Sequence, residues 1–434
     1  MNIYKGLLCA ALAVAASFSA NAQNQQSPYS RFGYGMIGDF ATSAQRNMGG
    51  VGIAMADGRQ INVMNPASYA AADSLTLHWD IGIDLTQLKS EENGNTGKSF
   101  GGGLDYMTLQ FPIGKRMGGS IGLVPYTTVG YSFGNDLKND VGGTTGSESI
   151  SGYGGLNNLY AGFAARPFDG LFNGALDGLS LGVNVAYQFG TIVNDTYIIS
   201  TSQSLFEQVV QVRDWDVTLG LQYAYQMNKH RFGVGFTYSP KKDFHGKSWA
   251  IKYDVSGDSK PDTINEIRLR PEGYARPNAF AFGLNYVYNR SLMVEADFAL
   301  QQWGKVNFPG ISYHNKGSQV VEHLYQANFA DRYKAGVGVQ YIPRERGSFL
   351  QRIAYRLGGS YTRDYIMVGE NNVREYTLGC GFGLPTMAQK TMINIGFEWK
   401  HRQAYPASLV SENYYSITLS INYKEMAFWK DKIR

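Results

Sequence analysis

Leu75-Thr-Leu-His-Trp-Asp-Ile-Gly-Ile-Asp-Leu85 alternates strictly between apolar and polar or small residues. Leu75, Leu77, Trp79, Ile81, Ile83 and Leu85 share one face of an extended chain. Thr76, His78, Asp80, Gly82 and Asp84 share the other. A period of two is the signature of a strand with one face buried in an apolar medium. The pattern returns in Leu179 to Phe189, Trp215 to Tyr225, Leu292 to Leu300, Ile393 to Trp399 and Tyr415 to Tyr423. None of these apolar faces carries a charge. The opposite faces carry Asp80, Asp84, Asp214, Asp216, Glu295, Asp297, Glu398 and Lys400. A cation facing lipid at mid-bilayer costs about 2–4 kcal/mol, which explains a purged face. A soluble sandwich also buries one face, so alternation alone does not choose between the two.

Link lengths choose. Strands are expected near 75–87, 103–112, 119–134, 156–167, 179–193, 209–226, 231–253, 263–288, 292–303, 327–342, 351–366, 374–384, 391–402 and 413–424. Between them, long polar links (Leu88 to Gly102, Asn135 to Gly155, Asn194 to Gln208, Gly304 to Gln326, Gln403 to Glu412) alternate with short ones (Ile113 to Gly118, Met227 to His230, Asn289 to Ser291). Outer-membrane barrels have long external loops, short periplasmic turns and an even number of strands. The fold class expected is all-β, a 14-stranded antiparallel transmembrane barrel. It must close, because lipid offers an open sheet edge no hydrogen-bond partner. Tyr131, Tyr187, Tyr225, Trp303, Trp399 and Tyr423 near strand ends suit interfacial aromatic girdles.

Composition agrees. Of 434 residues 17% are charged and 14% aromatic, with 52 Gly and 30 Tyr. Soluble proteins carry about 25% charge. No later apolar run reaches the roughly 18 residues of a membrane helix. Residues 1–22 read as a signal peptide: Lys5, an apolar stretch from Leu7 to Ala16, and a small-residue site at Ala20-Asn21-Ala22. Cys9 lies inside it, so the mature chain keeps only Cys380 and no intrachain disulfide. The net charge of +4 is too weak to imply nucleic acid as a partner. Residues 23–74 do not alternate, are rich in Gly, Ala and Asn, and are too small and polar to fold alone. The place for them is inside the barrel, as a plug, leaving 75–434 as the barrel itself.

Two stretches resemble the long-chain fatty-acid transporter (FadL) family of outer-membrane proteins. The first runs from Ala44 through Met48-Gly49-Gly50 and Gly52 to Asp57, followed by Asn65-Pro66-Ala67. It is similar to the family's N-terminal hatch. The second, Pro277 through Gly283 to Tyr286 and on to Asp297 and Trp303, is similar to its late strand pair. The family usually follows Asn-Pro-Ala with Gly, where this chain has Ser68-Tyr69. The resemblance implies a hatch-plugged barrel and a lateral exit for hydrophobic ligands at a kink in the third strand. Pro125, flanked by Gly122 and Gly130, is the candidate there, since proline cannot donate to a strand ladder. Asn65, Pro66 and Ala67 are expected to seat the plug.

Other motifs are weaker. Gly118-Gly-Ser120-Ile-Gly122 fits a nucleophile-elbow pattern but lacks the helix that pattern needs. Asp254 to Glu266 has calcium-loop spacing with its closing acid displaced. His78, His230, His245, His314, His323 and His401 show no metal spacing, and the inward acids fit a hydrated lumen. No cofactor, no metal and no enzymatic activity is expected. The expected function is passive outer-membrane transport of small hydrophobic molecules, fatty acids or aromatic compounds, with membrane lipid and such a ligand as partners. The alternatives are a docking subunit of a secretion or assembly complex, and a general porin.

Overall fold

A computed structural model of the chain describes residues 27–73, 76–138, 144–199, 203–254, 262–269, 273–316, 319–386 and 391–425. The expected signal peptide lies outside them. Fourteen antiparallel strands form a closed barrel. In chain order they are β1 Leu77–Glu92, β2 Asn95–Pro112, β3 Met117–Lys138, β4 Thr144–Ala165, β5 Leu179–Ile199, β6 Gln203–Met227 and β7 His230–Ser239. After them come β8 Ala279–Tyr288, β9 Leu292–Gln301, β10 Arg332–Tyr341, β11 Ala354–Val368, β12 Asn371–Pro385, β13 Thr391–Tyr405 and β14 Ser411–Glu425. Each pairs with its neighbours in sequence, and β1 closes on β14 from Leu77↔Glu425 to Glu91↔Ser411.

The alternation sorts as read. Trp215, Val217, Leu219 and Leu221 are exposed on the outer wall, where hydrocarbon takes the place of a protein core. Asp214, Asp216 and Gln222, between them, are buried inside. At one end the strands join by tight turns; Asn289 and Arg290 both have positive φ, as a two-residue hairpin turn requires. This end faces the periplasm in outer-membrane barrels.

The other end departs from expectation. Several long links are mostly strand. β1 and β2 continue to an Asn93-Gly94 turn, with φ of 48° and 83°. Polar residues extend a ladder beyond the bilayer, where both faces are wet. The expected strands 231–253 and 263–288 are each broken. β7 stops at Ser239 before Pro240, and β8 starts after Pro277, because proline has no N–H to donate. Between them Gly246–Asp254 pairs with the outer part of β6 and with Asp262–Arg268. The expected loop 304–326 holds a hairpin of Pro309–Lys316 and Gln319–Gln326. Tyr131 and Trp303 are no girdle residues: both are buried.

Residues 27–73 lie within the lumen. They form short pieces only: a 3-10 turn Pro28–Arg31, a two-residue strand Met36–Ile37, one helical turn Ser43–Arg46 and a 3-10 turn Pro66–Ala71. Tyr34, Met48, Val51, Met55, Ile61 and Tyr69 are wholly buried. At the outer end Tyr34 meets Phe308 edge-on at 5.0 Å, and Trp303 stacks on Tyr365 at 4.5 Å. These rings cap the hatch from outside.

Candidate functional site

The seat of the hatch is built from one turn and several bare backbones. Asn65 caps the Pro66–Ala71 turn: its Oδ1 accepts from the Ala67 N–H at 3.0 Å. Its Nδ2 donates to the Ile53 carbonyl at 2.8 Å and the Leu221 carbonyl of β6 at 3.2 Å. One amide thus ties two parts of the hatch to the wall. Proline at the first helical position sacrifices no bond, since that N–H would lack an intrahelical partner anyway. The Pro66 ring fits because β6 presents Gly220, where a methyl would stand 2.8 Å from the ring carbons. On β9, Asp297 accepts the N–H groups of Gly52 (2.6 Å) and Ile53 (3.0 Å), and Glu295 accepts that of Ala54 (2.7 Å). Gly283 of β8 lies against the same hatch backbone. Pro277 lines a neighbouring cavity of about 170 Å³, and Trp303 belongs to the outer aromatic cap. The sequence-expected residues of this group therefore split between the hatch seat and its lid.

The wall beside the hatch is interrupted. β2 and β3 pair only from Met107↔Leu123 to Pro112↔Gly118. Beyond that point β2 keeps its ladder to β1, and β3 keeps its ladder to β4, with a register shift between Pro125 and Thr127. Pro125 supplies no N–H, and the two edges diverge from there. The hatch takes β2's place along the freed edge. Met36 and Ile37 pair with Thr128 and Thr127, Gly38 N–H donates to the Tyr126 carbonyl at 2.8 Å, and Ser27 N–H donates to the Gly130 carbonyl at 2.7 Å. Gly122 lies just inside the last paired stretch, where an added methyl would strike the Met107 carbonyl and the Tyr160 ring. Pro125 and Gly130 lie on the part of β3 that is unpaired to β2, with Gly130 bound by the hatch, and Gly122 lies in the part still paired to it.

Behind the opening is a cavity of about 330 Å³. Gly102, Gly103, Leu104 and Pro125 form its wall side, and Phe40 stacks on Tyr126 across it. Its far side is charged. Arg46 of the hatch reaches Asp105 at 2.8 Å and Glu398 at 2.9 Å. Asp39 is held by Lys334 (2.8 Å) and Arg332 (3.2 Å). Burial opposes the charge on Asp39, but Lys334 and Arg332 outweigh it and hold the carboxyl well below the usual carboxylate range. Arg402 bridges Glu375 and Glu412, and Glu412 accepts from Ser27 at 2.8 Å. Most of these charges are paired, so the chamber is polar yet close to neutral.

Residues 3–434 match the family model described as BamG. The chain belongs to the BamG family. This is a FadL-like outer-membrane family, and the barrel resides in the outer membrane. No curated protein matches the sequence. Solved structures resemble this BamG-family chain in fold. The Pseudomonas putida toluene transporter TodX gives a TM-score of 0.61 at 16% identity, over 89% of this chain and 98% of that one. A Pseudomonas aeruginosa FadL homologue gives 0.61 at 12% identity, over 89% and 99%. The CymD monoaromatic hydrocarbon channel gives 0.59 at 15% identity, over 89% and 97%.

Among the other expectations, Ser120 sits in β3 with its hydroxyl spent on the Leu109 carbonyl (2.8 Å) and the Tyr160 hydroxyl (2.9 Å). It is a strand residue, not an elbow. Most of the 254–266 segment considered for calcium lies outside the described residues. Among the described residues no cluster of metal-ligating side chains occurs. Sequence reasoning missed Ser27, Tyr29 and Ser30, which bind β3 and the β13–β14 end of the wall. A non-alternating segment gives no sign of which strand edge it will fill. Glu375, Arg402 and Glu412 were findable as further inward charges.

Proposed function

We propose that this barrel moves small hydrophobic molecules passively across the outer membrane and releases them sideways through the wall between β2 and β3. One observation carries the reading: the β2–β3 ladder stops at Leu123, next to Pro125, and a cavity lies directly behind the gap. An apolar solute in such a cavity has a route into hydrocarbon that avoids water on either side. Asn65, Pro66 and Ala67 act as the fixed seat of the hatch, and Gly122, Pro125 and Gly130 as the frame of the gate. The paired charges on the far wall favour a ligand with a polar end over a plain alkane. Family relationship and barrel shape support the same class of function. The reading is a conduit without catalysis.

The test is uptake of an apolar fluorescent probe into proteoliposomes. Gly103→Trp, filling the cavity from β2, should cut uptake several-fold. Pro125→Ala, which restores an N–H to the β3 edge, should also lower it. Uptake equal to wild type in both variants would sink the gate.

A second reading, a docking subunit of a larger assembly, has one observation in its favour. The outer wall carries an apolar furrow of about 710 Å³ where Ala296, Ala335 and Gly359 lie between Phe298, Leu378 and Trp399. A transmembrane neighbour seated there would be displaced by Ala335→Trp, with probe uptake untouched.

A further inference from the structure

The gate leaves a larger cavity unexplained. A vestibule of about 890 Å³ opens at the short-turn end, and hatch residues 54–59 line it. Its walls carry cations from separate segments: Arg166 at the end of β4, Lys229 and Arg231 at the β6–β7 turn, Arg290 at the β8–β9 turn and Arg59 of the hatch. Asp57, Arg166, Arg59 and Arg290 are all near enough to Arg231 to act on its charge, Asp57 most strongly and the three arginines against it.

The acids of the same cavity are already engaged. Asp57 holds Arg59 at 3.0 Å, and Arg59 also reaches Glu345. Asp73 pairs with Lys424. Asp177 accepts the Gly170 N–H at 2.8 Å. Arg166, Lys229, Arg231 and Arg290 make no ion pair among the described residues. Arg231 is half-buried and occupies an inward position of β7, two before Gly233, so its charge is directed into the cavity. A concave mouth whose unpaired cations outnumber its one acid without an ion pair among the described residues, Asp177, concentrates a positive field on whatever enters. Guanidinium groups match carboxylates in geometry as well as in charge.

We propose that this vestibule binds a carboxylate-rich peptide segment presented from the periplasm. The cations come from four chain segments around a wide mouth and do not converge on one point. A single small anion neutralises one or two of them. A segment with several carboxylates along its length neutralises the ring. The volume lies near the top of the range for ligand pockets, about 300–1,000 Å³. The wall furrow and the gate use none of these residues, so this site stands or falls apart from the transport reading.

The probe is a fluorescein-labelled hexaglutamate peptide, followed by anisotropy with the full chain in detergent. Saturable binding is expected, weakening with salt because exposed charges are screened. Hexaglutamine should not bind. The double variant Arg231→Glu with Arg290→Glu should lower affinity at least about tenfold, equivalent to about 1.4 kcal/mol. Heat-modifiable gel migration checks that it still folds. Lys115→Glu, on the same rim but outside the vestibule, should leave binding unchanged. The proposal is overturned by hexaglutamate binding no better than hexaglutamine, or by equal loss in Lys115→Glu. Displacement of the peptide by citrate at equal carboxylate concentration would also overturn it, since that marks a small-anion site.

Discussion

At the scale of single residues, the hatch is held mainly by side chains that take up backbone groups. A plug without regular structure has N–H and C=O groups that no ladder satisfies, and leaving one buried and unpaired costs about 1–3 kcal/mol. Asn65, Asp297 and Glu295 discharge that debt at Ile53, Gly52 and Ala54. Asn65→Ala should therefore destabilise the seated hatch by about 0.5–2 kcal/mol, the loss of a cap, since Gln222 Nε2 still donates to the Ile53 carbonyl. Limited proteolysis of folded protein in detergent should show earlier cleavage within the hatch, with the barrel core intact. Asn65-Pro66-Ala67 was legible as a turn because proline after a capping residue has a local cause. The partners of that turn were not, since Gly220 lies about 150 positions away and glycine carries no pattern of its own.

At the scale of elements, the alternation of each strand was readable because lipid outside and charge inside enforce it residue by residue. The ends of strands were not. Beyond the bilayer no apolar face is needed, so β1–β2 and the hairpin at 309–326 extend through sequence that reads as loop. The break in β3 was half legible. Pro125 marked a fault in the ladder, but which neighbour is lost, β2 or β4, depends on the hatch strand that replaces it. Hydrogen exchange gives the check. Amides of β2 from Asn95 to Leu104 that point away from β1 should exchange faster than those from Met107 to Phe111, which are paired on both sides. Equal protection along β2 would show that the edges rejoin in solution.

At the scale of the whole molecule, the barrel is a pore only in outline. The hatch, its charged contacts and the aromatic cap fill the lumen from the vestibule to the outer end. Removing residues 27–73 should convert a protein that does not conduct in planar bilayers into one with a steady ion-conducting state. The intact chain is expected to stay closed to ions, which sets it apart from a general porin. The plug's position was readable from its composition alone, since a segment that cannot form its own core must borrow one. The periplasmic mouth was not, because Arg166, Arg231 and Arg290 are scattered over the chain and meet only when the cylinder closes.

Ser27 is tied to Glu412 across 385 positions and Arg46 to Glu398 across 352. The N-terminal hatch thus docks against strands far along the sequence. Linking ends so far apart carries a heavy entropic penalty and delays assembly. The N-terminal segment must wait, uncommitted, until the closing seam between β1 and β14 is about to zip. Any machinery that inserts this protein has to keep that seam ajar long enough for the stopper to be drawn in.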